Sequence, residues 1–161
     1  MTDALEYFSP PARDRLGLLS INAQDGCITA IAFVAREELP ACPDAATALA
    51  CRQLAEYFNG SRTGFELPLS PQGTDFQRSV WSVLATIPHG ETRSYGEVAR
   101  RLGRSGAQRA VGAANGRNPI AIVIPCHRVI ASDGSPGGYS AGVWRKQWLL
   151  AHEAQVSEVR A

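Results

Sequence analysis

The sequence lacks the features of a membrane-spanning, secreted or metal-binding protein. No window approaches the roughly 18 consecutive apolar residues of a membrane span, and the N-terminus has neither the basic flank nor the apolar run of a signal peptide. The four cysteines form no CxxC pair and lack the spacing of metal ligands. We therefore expect reduced thiols, no metal, no cofactor and a cytoplasmic location.

The chain also has no large excess of positive or negative charge. The net charge of +1 gives no global argument for nucleic acid binding. The basic residues are unevenly distributed, however: five arginines lie between residues 93 and 109, where Glu97 is the only acidic residue, whereas nine acidic residues lie in the first 70. Because many basic faces are ordinary solvated surfaces, this pattern supports DNA binding only if a motif accompanies it.

The first part of the chain predicts a small strand-bearing lobe in a protein of mixed α/β (α+β) class. Residues 16–22 and 27–34, on either side of Asp25-Gly26, have the pattern of a β-hairpin, and residues 45–58 have helical spacing that ends at Asn59-Gly60. Two prolines and a glycine interrupt both periodicities in residues 68–73. We place the domain boundary there, with lobes of residues 1–70 and 71–161.

The second lobe is predicted to be mainly helical. Thr74 is a good N-cap for a helix that ends before Pro88-His89-Gly90. Its predicted apolar face consists of Phe76, Val80, Val83, Leu84 and Ile87. Ser94 can cap a short helix that stops at Gly103, and a second short helix over residues 107–115 follows. This pair is a helix-turn-helix candidate, although tight helical pairs also occur in many protein cores.

The segment IAIVIPCHRV, residues 120–129, carries the clearest chemical signal. Its apolar run has the pattern of a buried strand or extended segment that Pro125 halts. Cys126 and His127 then stand side by side, and a histidine can take a thiol proton if a third group orients the imidazole. Glu153 is a candidate for that group, but it can equally be a surface residue or the ion-pair partner of a nearby arginine.

Several motifs together resemble one family of proteins. PCHRV at 125–129 is preceded by GRNP at 116–119 and followed by GGYSAG at 137–142 and WLLAHE at 148–153. This combination, with TDFQRSVW, GETRSYGEVA and RAVGAAN, resembles the O6-alkylguanine-DNA alkyltransferases, also called methylated-DNA–protein-cysteine methyltransferases. The resemblance covers residues 74–153, whereas the N-terminal lobe matches only in size and general pattern.

The resemblance implies DNA repair by a single irreversible alkyl transfer from a flipped guanine to a cysteine that is not regenerated. It implies that Cys126 is the acceptor, that His127 is its base through a bound water, and that Glu153 orients His127 as thiolate and imidazolium form. Asn118 resembles the asparagine that braces the active-site segment. Tyr95 resembles the tyrosine that presses on the phosphate during flipping and protonates a ring nitrogen of the departing base.

The resemblance also implies a double-stranded DNA partner that carries alkylated bases. Arg109 resembles the arginine finger that fills the gap left by the flipped base. The residues expected at the DNA are Ser94, Tyr95, Gln108, Arg109, Ala110 and Arg128. Those expected around the base are Pro125, Val129, Tyr139 and Ser140. We expect a monomer in solution, and cooperative assembly on DNA and activity on O4-alkylthymine stay open.

Alternative interpretations exist for individual residues and for the whole chain. Tyr139 can be a packing residue, Ser140 a turn residue and Asn118 a structural cap. Ala121 and Ala141 stand where many relatives have proline and glycine, which bears on the size of the alkyl group accepted. A related non-catalytic class carries tryptophan in place of the cysteine, so Cys126 argues against it. A cysteine hydrolase would turn over and would not need a helix-turn-helix.

Overall fold

The computed structural model describes residues 3–160, and these divide into two compact units. The first unit comprises the described residues up to Gln72 together with Pro119–Ala121, and the second comprises Gly73–Asn118 and the chain from Ile122 onward. The sequence pattern did not predict that Pro119–Ala121 belong to the first unit.

The first unit contains a three-stranded antiparallel sheet and two helices. In chain order the elements are β1 (Asp3–Phe8), α1 (Arg13–Leu16), β2 (Leu18–Gln24), β3 (Cys27–Val34) and α2 (Ala45–Phe58). The strands are arranged in the order β1-β2-β3, and β2 and β3 are the predicted hairpin around Asp25-Gly26. Both turn residues have positive φ, 50° and 78°, which aspartate and glycine tolerate. The sequence patterns did not predict β1 or α1.

Helix α2 closes the core of this unit against the sheet. It begins at a capping box, in which Asp44 accepts from the Thr47 amide and Thr47 accepts from the Asp44 amide. Its buried residues Leu54 and Tyr57 belong to the same core as Leu19 from β2. The position of this helix confirms the predicted range of 45–58.

The apolar run 120–124 is buried but is not a strand. Ile120 forms a single parallel bridge with Ile31, whose amide donates to the Pro119 carbonyl at 3.0 Å. The chain then turns, and Ile122 adopts a φ of 70°, a left-handed conformation that is costly for a β-branched residue. The expectation of a continuous extended segment was therefore wrong, because the chain reverses here instead of pairing further.

The second unit is mainly helical, and a short parallel pair of strands connects two of its segments. Its elements are α3 (Asp75–Leu84), β4 (Arg93–Ser94), α4 (Tyr95–Arg101), α5 (Gln108–Gly116), β5 (Val129–Ile130) and α6 (Val143–Arg160). Strands β4 and β5 pair in parallel, and a 3-10 turn over Cys126–Arg128 precedes β5. No helix in the described range is long and apolar enough to cross a membrane.

Helix α3 begins at the predicted N-cap, Thr74, with a capping box to Gln77. Of its predicted face, Phe76 and Val83 are only partly buried, whereas Trp81 is buried and donates its indole N–H to the Ala114 carbonyl at 2.9 Å. This bond connects α3 to α5. At this position the tryptophan ring is buried and its N–H has a hydrogen-bond partner, so both its apolar and its polar parts are accommodated.

Helices α4 and α5 form the predicted helical pair. Ser94 caps α4 through the Glu97 amide, and Gly103 and Gly106, both with positive φ, lie in the turn before α5. Both helices pack against α3 and against each other. Helix α6 contains the WLLAHE motif and continues beyond it to Arg160.

Candidate active site

A fully buried carboxylate, that of Glu153 on α6, lies at the centre of the candidate site. Its Oε1 accepts from His127 Nε2 at 2.7 Å, and its Oε2 accepts from Arg128 Nε at 2.9 Å. The Gly90 amide donates to Oε2 at 3.1 Å. A buried carboxylate is tolerated when it is paired and hydrogen-bonded in this way. Burial opposes its ionisation, but the bonds from His127 and Arg128 hold the Glu153 pKa well below its usual range.

Arg128 is part of this buried network and does not face solvent. Only 6% of its surface is exposed, and its guanidinium donates to both Glu153 oxygens and to the Ile87 carbonyl, the latter at 2.6 Å. These partners occupy the guanidinium in a fixed geometry. The expectation that Arg128 contacts DNA was therefore wrong. The sequence did suggest the alternative that Glu153 pairs with a nearby arginine, and the structure shows that it does so while also binding His127.

His127 is held in one tautomer. Because the Glu153 carboxylate only accepts hydrogen bonds, His127 Nε2 carries the proton that it donates. Burial lowers the pKa of His127, although Glu153 counteracts this effect. His127 Nδ1 is buried, and no group within residues 3–160 forms a hydrogen bond to it. A neutral imidazole with a free Nδ1 lone pair is the form that acts as a base.

Cys126 is a buried thiol at the start of the 3-10 turn, with 5% of its surface exposed. Burial raises the pKa of the thiol, whereas the nearby polar groups of Asn118 and Tyr139 and the charge of Lys146 favour the thiolate. The directions of the Cys126 and His127 pKa shifts indicate a neutral thiol beside a neutral imidazole at rest. Any reaction that uses Cys126 as a nucleophile with His127 as its base must therefore first form a thiolate and an imidazolium.

Two asparagines brace the backbone around Cys126. Asn118 donates its amide to the Ile124 carbonyl at 2.7 Å, and Asn115 donates to the Cys126 carbonyl at 3.2 Å. Asn115 is 4% exposed and lies on α5, so it connects that helix directly to the active-site turn. The sequence patterns marked Asn115 only as a helix end. Its position near Cys126 depends on how α5 packs, and that packing cannot be inferred from the local periodicity of the sequence.

A cavity of about 350 Å³ opens beside these groups. Its lining residues are Tyr95, Gly112, Asn115, Gly116, Gly138, Tyr139 and Ser140. Burial and then the negative charge of a Cys126 thiolate raise the pKa values of Tyr95 and Tyr139, so both phenols keep their protons. Of the four residues expected around the base, Tyr139 and Ser140 line this cavity. Pro125 and Val129 are buried and are not among its lining residues.

Glycines shape the wall of the cavity next to Tyr95. A Cβ at Gly137, whose φ is 73°, would lie 2.9 Å from the Tyr95 hydroxyl oxygen. A Cβ at Gly112 would lie 3.8 Å from the same ring. The GGYSAG loop therefore needs glycine at position 137 both for its backbone conformation and for the close approach of Tyr95.

Three of the six residues expected at the DNA are exposed, and all three lie on α5. Gln108, Arg109 and Ala110 form the first turn of α5, and all three are exposed. Ser94 uses its hydroxyl to cap α4, and Tyr95 is partly buried against the cavity. The three exposed residues are accessible to a partner, whereas Ser94 and Tyr95 are also committed to interactions within the unit.

No group of three metal-ligating side chains is clustered within the described part of the chain. The described cysteines Cys27, Cys42, Cys51 and Cys126 are all free thiols. Burial, followed by the neighbouring Glu6, raises the pKa of Cys51 to about 12, so this thiol is a poor nucleophile. Cys126 is the only one of the four that lies beside a histidine-carboxylate pair.

Comparison with known proteins gives consistent results. A family model described as the 6-O-methylguanine DNA methyltransferase DNA binding domain matches residues 75–155. A methylated-DNA–protein-cysteine methyltransferase of Mycolicibacterium paratuberculosis is 48% identical over 147 residues, which cover 88% of this chain and 89% of the relative. One from Methanosarcina barkeri is 58% identical over 104 residues, which cover 65% of this chain and 66% of the relative.

Solved structures show the same similarity over nearly the whole chain. The crystal structure of Mycobacterium tuberculosis O6-methylguanine methyltransferase aligns with a TM-score of 0.84 at 42% identity, covering 96% of this chain and 94% of the other. The structure described as Mycobacterium tuberculosis OGT in complex with DNA aligns with a TM-score of 0.81 at 44% identity, covering 88% and 89% of the two chains.

The buried network predicts a large loss of stability in Glu153→Gln. The glutamine oxygen can still accept from His127, but the Arg128 guanidinium loses its counter-charge, which costs about 3–5 kcal/mol in free energy of unfolding. The double variant Glu153→Gln with Arg128→Met should recover much of this loss because no buried charge is left unpaired. Urea denaturation of the three proteins measures the effect, and equal losses in the single and double variants would show that the ion pair is not responsible.

Proposed function

The chain belongs to the family of O6-methylguanine-DNA methyltransferases, and we propose that Cys126 is the residue that accepts the alkyl group. The protein is a methylated-DNA–protein-cysteine methyltransferase, which repairs DNA by transferring an alkyl group from O6-alkylguanine to itself. The observation that carries the assignment to Cys126 is its position beside a buried histidine whose Nδ1 is free and whose Nε2 is held by Glu153.

The first step moves the thiol proton of Cys126 to Nδ1 of His127, through one bound water. The His127 pKa lies below its ordinary value of 6.5, so Nδ1 is unprotonated and ready to accept at neutral pH. The resulting imidazolium lies 2.7 Å from the Glu153 carboxylate, whose negative charge stabilises it. The attraction between the thiolate and this imidazolium offsets the desolvation cost that otherwise keeps Cys126 in the thiol form.

The second step forms the bond between Cys126 sulfur and the alkyl carbon as the bond from that carbon to the guanine oxygen breaks. The electron pair of the broken bond passes to the base, which becomes an anion. Tyr95, whose pKa is raised by burial, keeps its proton until then and gives it to a ring nitrogen of that anion. The tyrosinate then takes up the proton that Cys126 gave to His127, so guanine carries the former Tyr95 proton and no net proton is gained or lost. The thioether is stable, and each chain therefore acts once.

We propose that the target base is rotated out of the duplex into the cavity beside Tyr95 and Tyr139. The cavity of about 350 Å³ is walled by two aromatic rings and by glycines, which suits a flat base. Arg109 is exposed at the start of α5, where Gln108 and Ala110 flank it. Its side chain is long enough to enter the stack and fill the gap that the flipped base leaves.

We further propose that one chain suffices for repair and that the protein works in the cytoplasm. Every group assigned to the reaction belongs to the same unit of one chain, so no second copy needs to complete the site. A reactive thiol that must stay reduced until it meets damage also fits a reducing compartment.

Alkyl acceptance by Cys126 predicts a defined mass change. After mixing with a duplex that contains one O6-methylguanine, each chain should gain one CH2, as a methyl group replaces the thiol hydrogen, and peptide mass spectrometry should locate it on Cys126. Cys126→Ser should gain nothing, whereas Cys42→Ser, which removes an exposed thiol, should react as the wild type does. Methylation of another cysteine, or repair of more than one guanine per chain, would contradict the assignment.

The role proposed for Arg109 predicts a difference between substrates. Arg109→Ala should slow repair of duplex DNA by about tenfold to a hundredfold, because unstacking a base costs a few kcal/mol that the inserted side chain helps to offset. Its reaction with free O6-benzylguanine should be unchanged, since no base stack is involved. Arg117→Ala, which removes an exposed charge at the other end of α5, is the matched control. Equal slowing on both substrates would assign Arg109 to the fold instead.

A further inference from the structure

Two buried acceptor atoms of the active site, His127 Nδ1 and Asn115 Oδ1, have no hydrogen-bond partner within residues 3–160. The proposed mechanism gives His127 Nδ1 a task, because this nitrogen accepts the thiol proton. It gives Asn115 Oδ1 none. Buried polar atoms without a partner are uncommon in folded proteins because they reduce stability, so this oxygen needs an explanation, such as a ligand that supplies the partner.

The orientation of the Asn115 amide is fixed by the group that it contacts. The Cys126 carbonyl can only accept a hydrogen bond, so the amide atom that lies 3.2 Å from it is Nδ2, which donates. The amide oxygen lies on the other side of the same planar group. Because this oxygen can only accept, it needs an N–H or O–H donor from elsewhere.

The side chain that carries this oxygen is part of the cavity wall. Asn115 lines the cavity of about 350 Å³, and only 4% of its surface is exposed. Its bond to the backbone of Cys126 holds both amide atoms close to the residue that receives the alkyl group. A base bound for transfer therefore brings one of its edges into the neighbourhood of Asn115 Oδ1.

The base of O6-alkylguanine has one group that can supply the missing donor. Alkylation of the oxygen leaves the adjacent ring nitrogen without hydrogen, so that nitrogen is an acceptor. The exocyclic amine keeps its hydrogens and lies on the same edge of the ring as the alkylated oxygen. A base that presents its alkylated oxygen to the Cys126 sulfur thus also presents its amine to the groups around Cys126.

We propose that Asn115 is a specificity-determining residue for alkyl transfer. Its Oδ1 accepts a hydrogen bond from the exocyclic amine of the flipped base, while its Nδ2 holds the Cys126 carbonyl. This inference rests on the proposed function, because it names the part of the substrate that the same cavity recognises. Asn115 thereby selects alkylated purines that carry the amine against those that lack it, since binding of the latter leaves a buried acceptor without a partner.

A comparison of two substrates isolates this contact. Duplexes of one sequence carry either O6-methylguanine or O6-methylhypoxanthine, which lacks only the amine, opposite the same base. The measured quantity is the ratio of the two second-order rates of transfer to Cys126 under single-turnover conditions. In the wild type O6-methylguanine should react faster by about tenfold or more. In Asn115→Leu, which removes the acceptor, this ratio should fall by about tenfold.

This ratio distinguishes recognition of the amine from support of the active-site turn. Asn115→Leu also loses the bond to the Cys126 carbonyl, but that loss slows both substrates by the same factor. Asn115→Asp keeps an acceptor and loses the donor, so it should be slow on both substrates and retain the preference for O6-methylguanine. Asn118→Ala, the matched control, removes a bond to the Ile124 carbonyl and should keep the wild-type ratio.

The possible outcomes separate the role of Asn115 from the reaction itself. Melting temperatures identify any variant that fails to fold, and the wild-type ratio needs no variant. Equal wild-type rates on the two duplexes would overturn the proposal. If folded Asn115→Leu is slow but keeps the wild-type ratio, Asn115 only supports the turn and the proposal is wrong. Both results leave transfer from O6-methylguanine to Cys126 in place, whereas absence of that transfer in the wild type refutes the proposed function.

Discussion

The hydrogen-bonded burial of one carboxylate, that of Glu153, is the constraint on which the rest of the second unit depends. Three chain segments meet at its two oxygens: the loop at Gly90, the 3-10 turn at His127 and Arg128, and helix α6 itself. An unpaired carboxylate in this position would be costly, so the three segments must assemble together for the fold to be stable. The same contacts fix the tautomer and orientation of His127, so stability and reactivity share one set of bonds.

The protonation state of the site at rest has a consequence for selectivity. Burial favours the thiol form of Cys126 and the neutral form of His127, so the proposed nucleophile is weak at rest. In the proposed mechanism a thiolate forms only when its proton moves to His127, and it then attacks a carbon held nearby. A protein that acts once benefits from this arrangement, because a permanently ionised thiol would be exposed to oxidation and to other electrophiles.

The sequence predicted the parts of the fold that depend on local chemistry. Thr74 and Ser94 cap helices where expected, the hairpin turns at Asp25-Gly26, and α2 has its predicted bounds. Strand β1 was not predicted, because its pairing with β2 is a tertiary contact that cannot be inferred from such a short sequence. The Cys126, His127 and Glu153 set came from a motif, and the structure brings two of these side chains into contact, those of His127 and Glu153.

Other features of the site lay beyond what sequence patterns report. Arg128 follows His127 in a basic motif, yet the 3-10 turn directs it inward to Glu153. Asn115 was predicted only as the last residue of a short helix, yet its side chain donates to the Cys126 carbonyl. The rotation of a helix about its own axis decides which of its side chains reach a buried carbonyl. In a short helix such as α5, packing against the neighbouring elements sets that rotation.

The tautomer of His127 is the most direct test of the proposed mechanism, because the proposed proton path from Cys126 requires Nδ1 to be a free acceptor. Nitrogen NMR of histidine-labelled protein at neutral pH, assigned with a His127→Gln variant, distinguishes the possible forms. The account predicts a neutral ring with its proton on Nε2, hydrogen-bonded to Glu153, that stays neutral below pH 6.5. An imidazolium at neutral pH, or a proton on Nδ1, would contradict it.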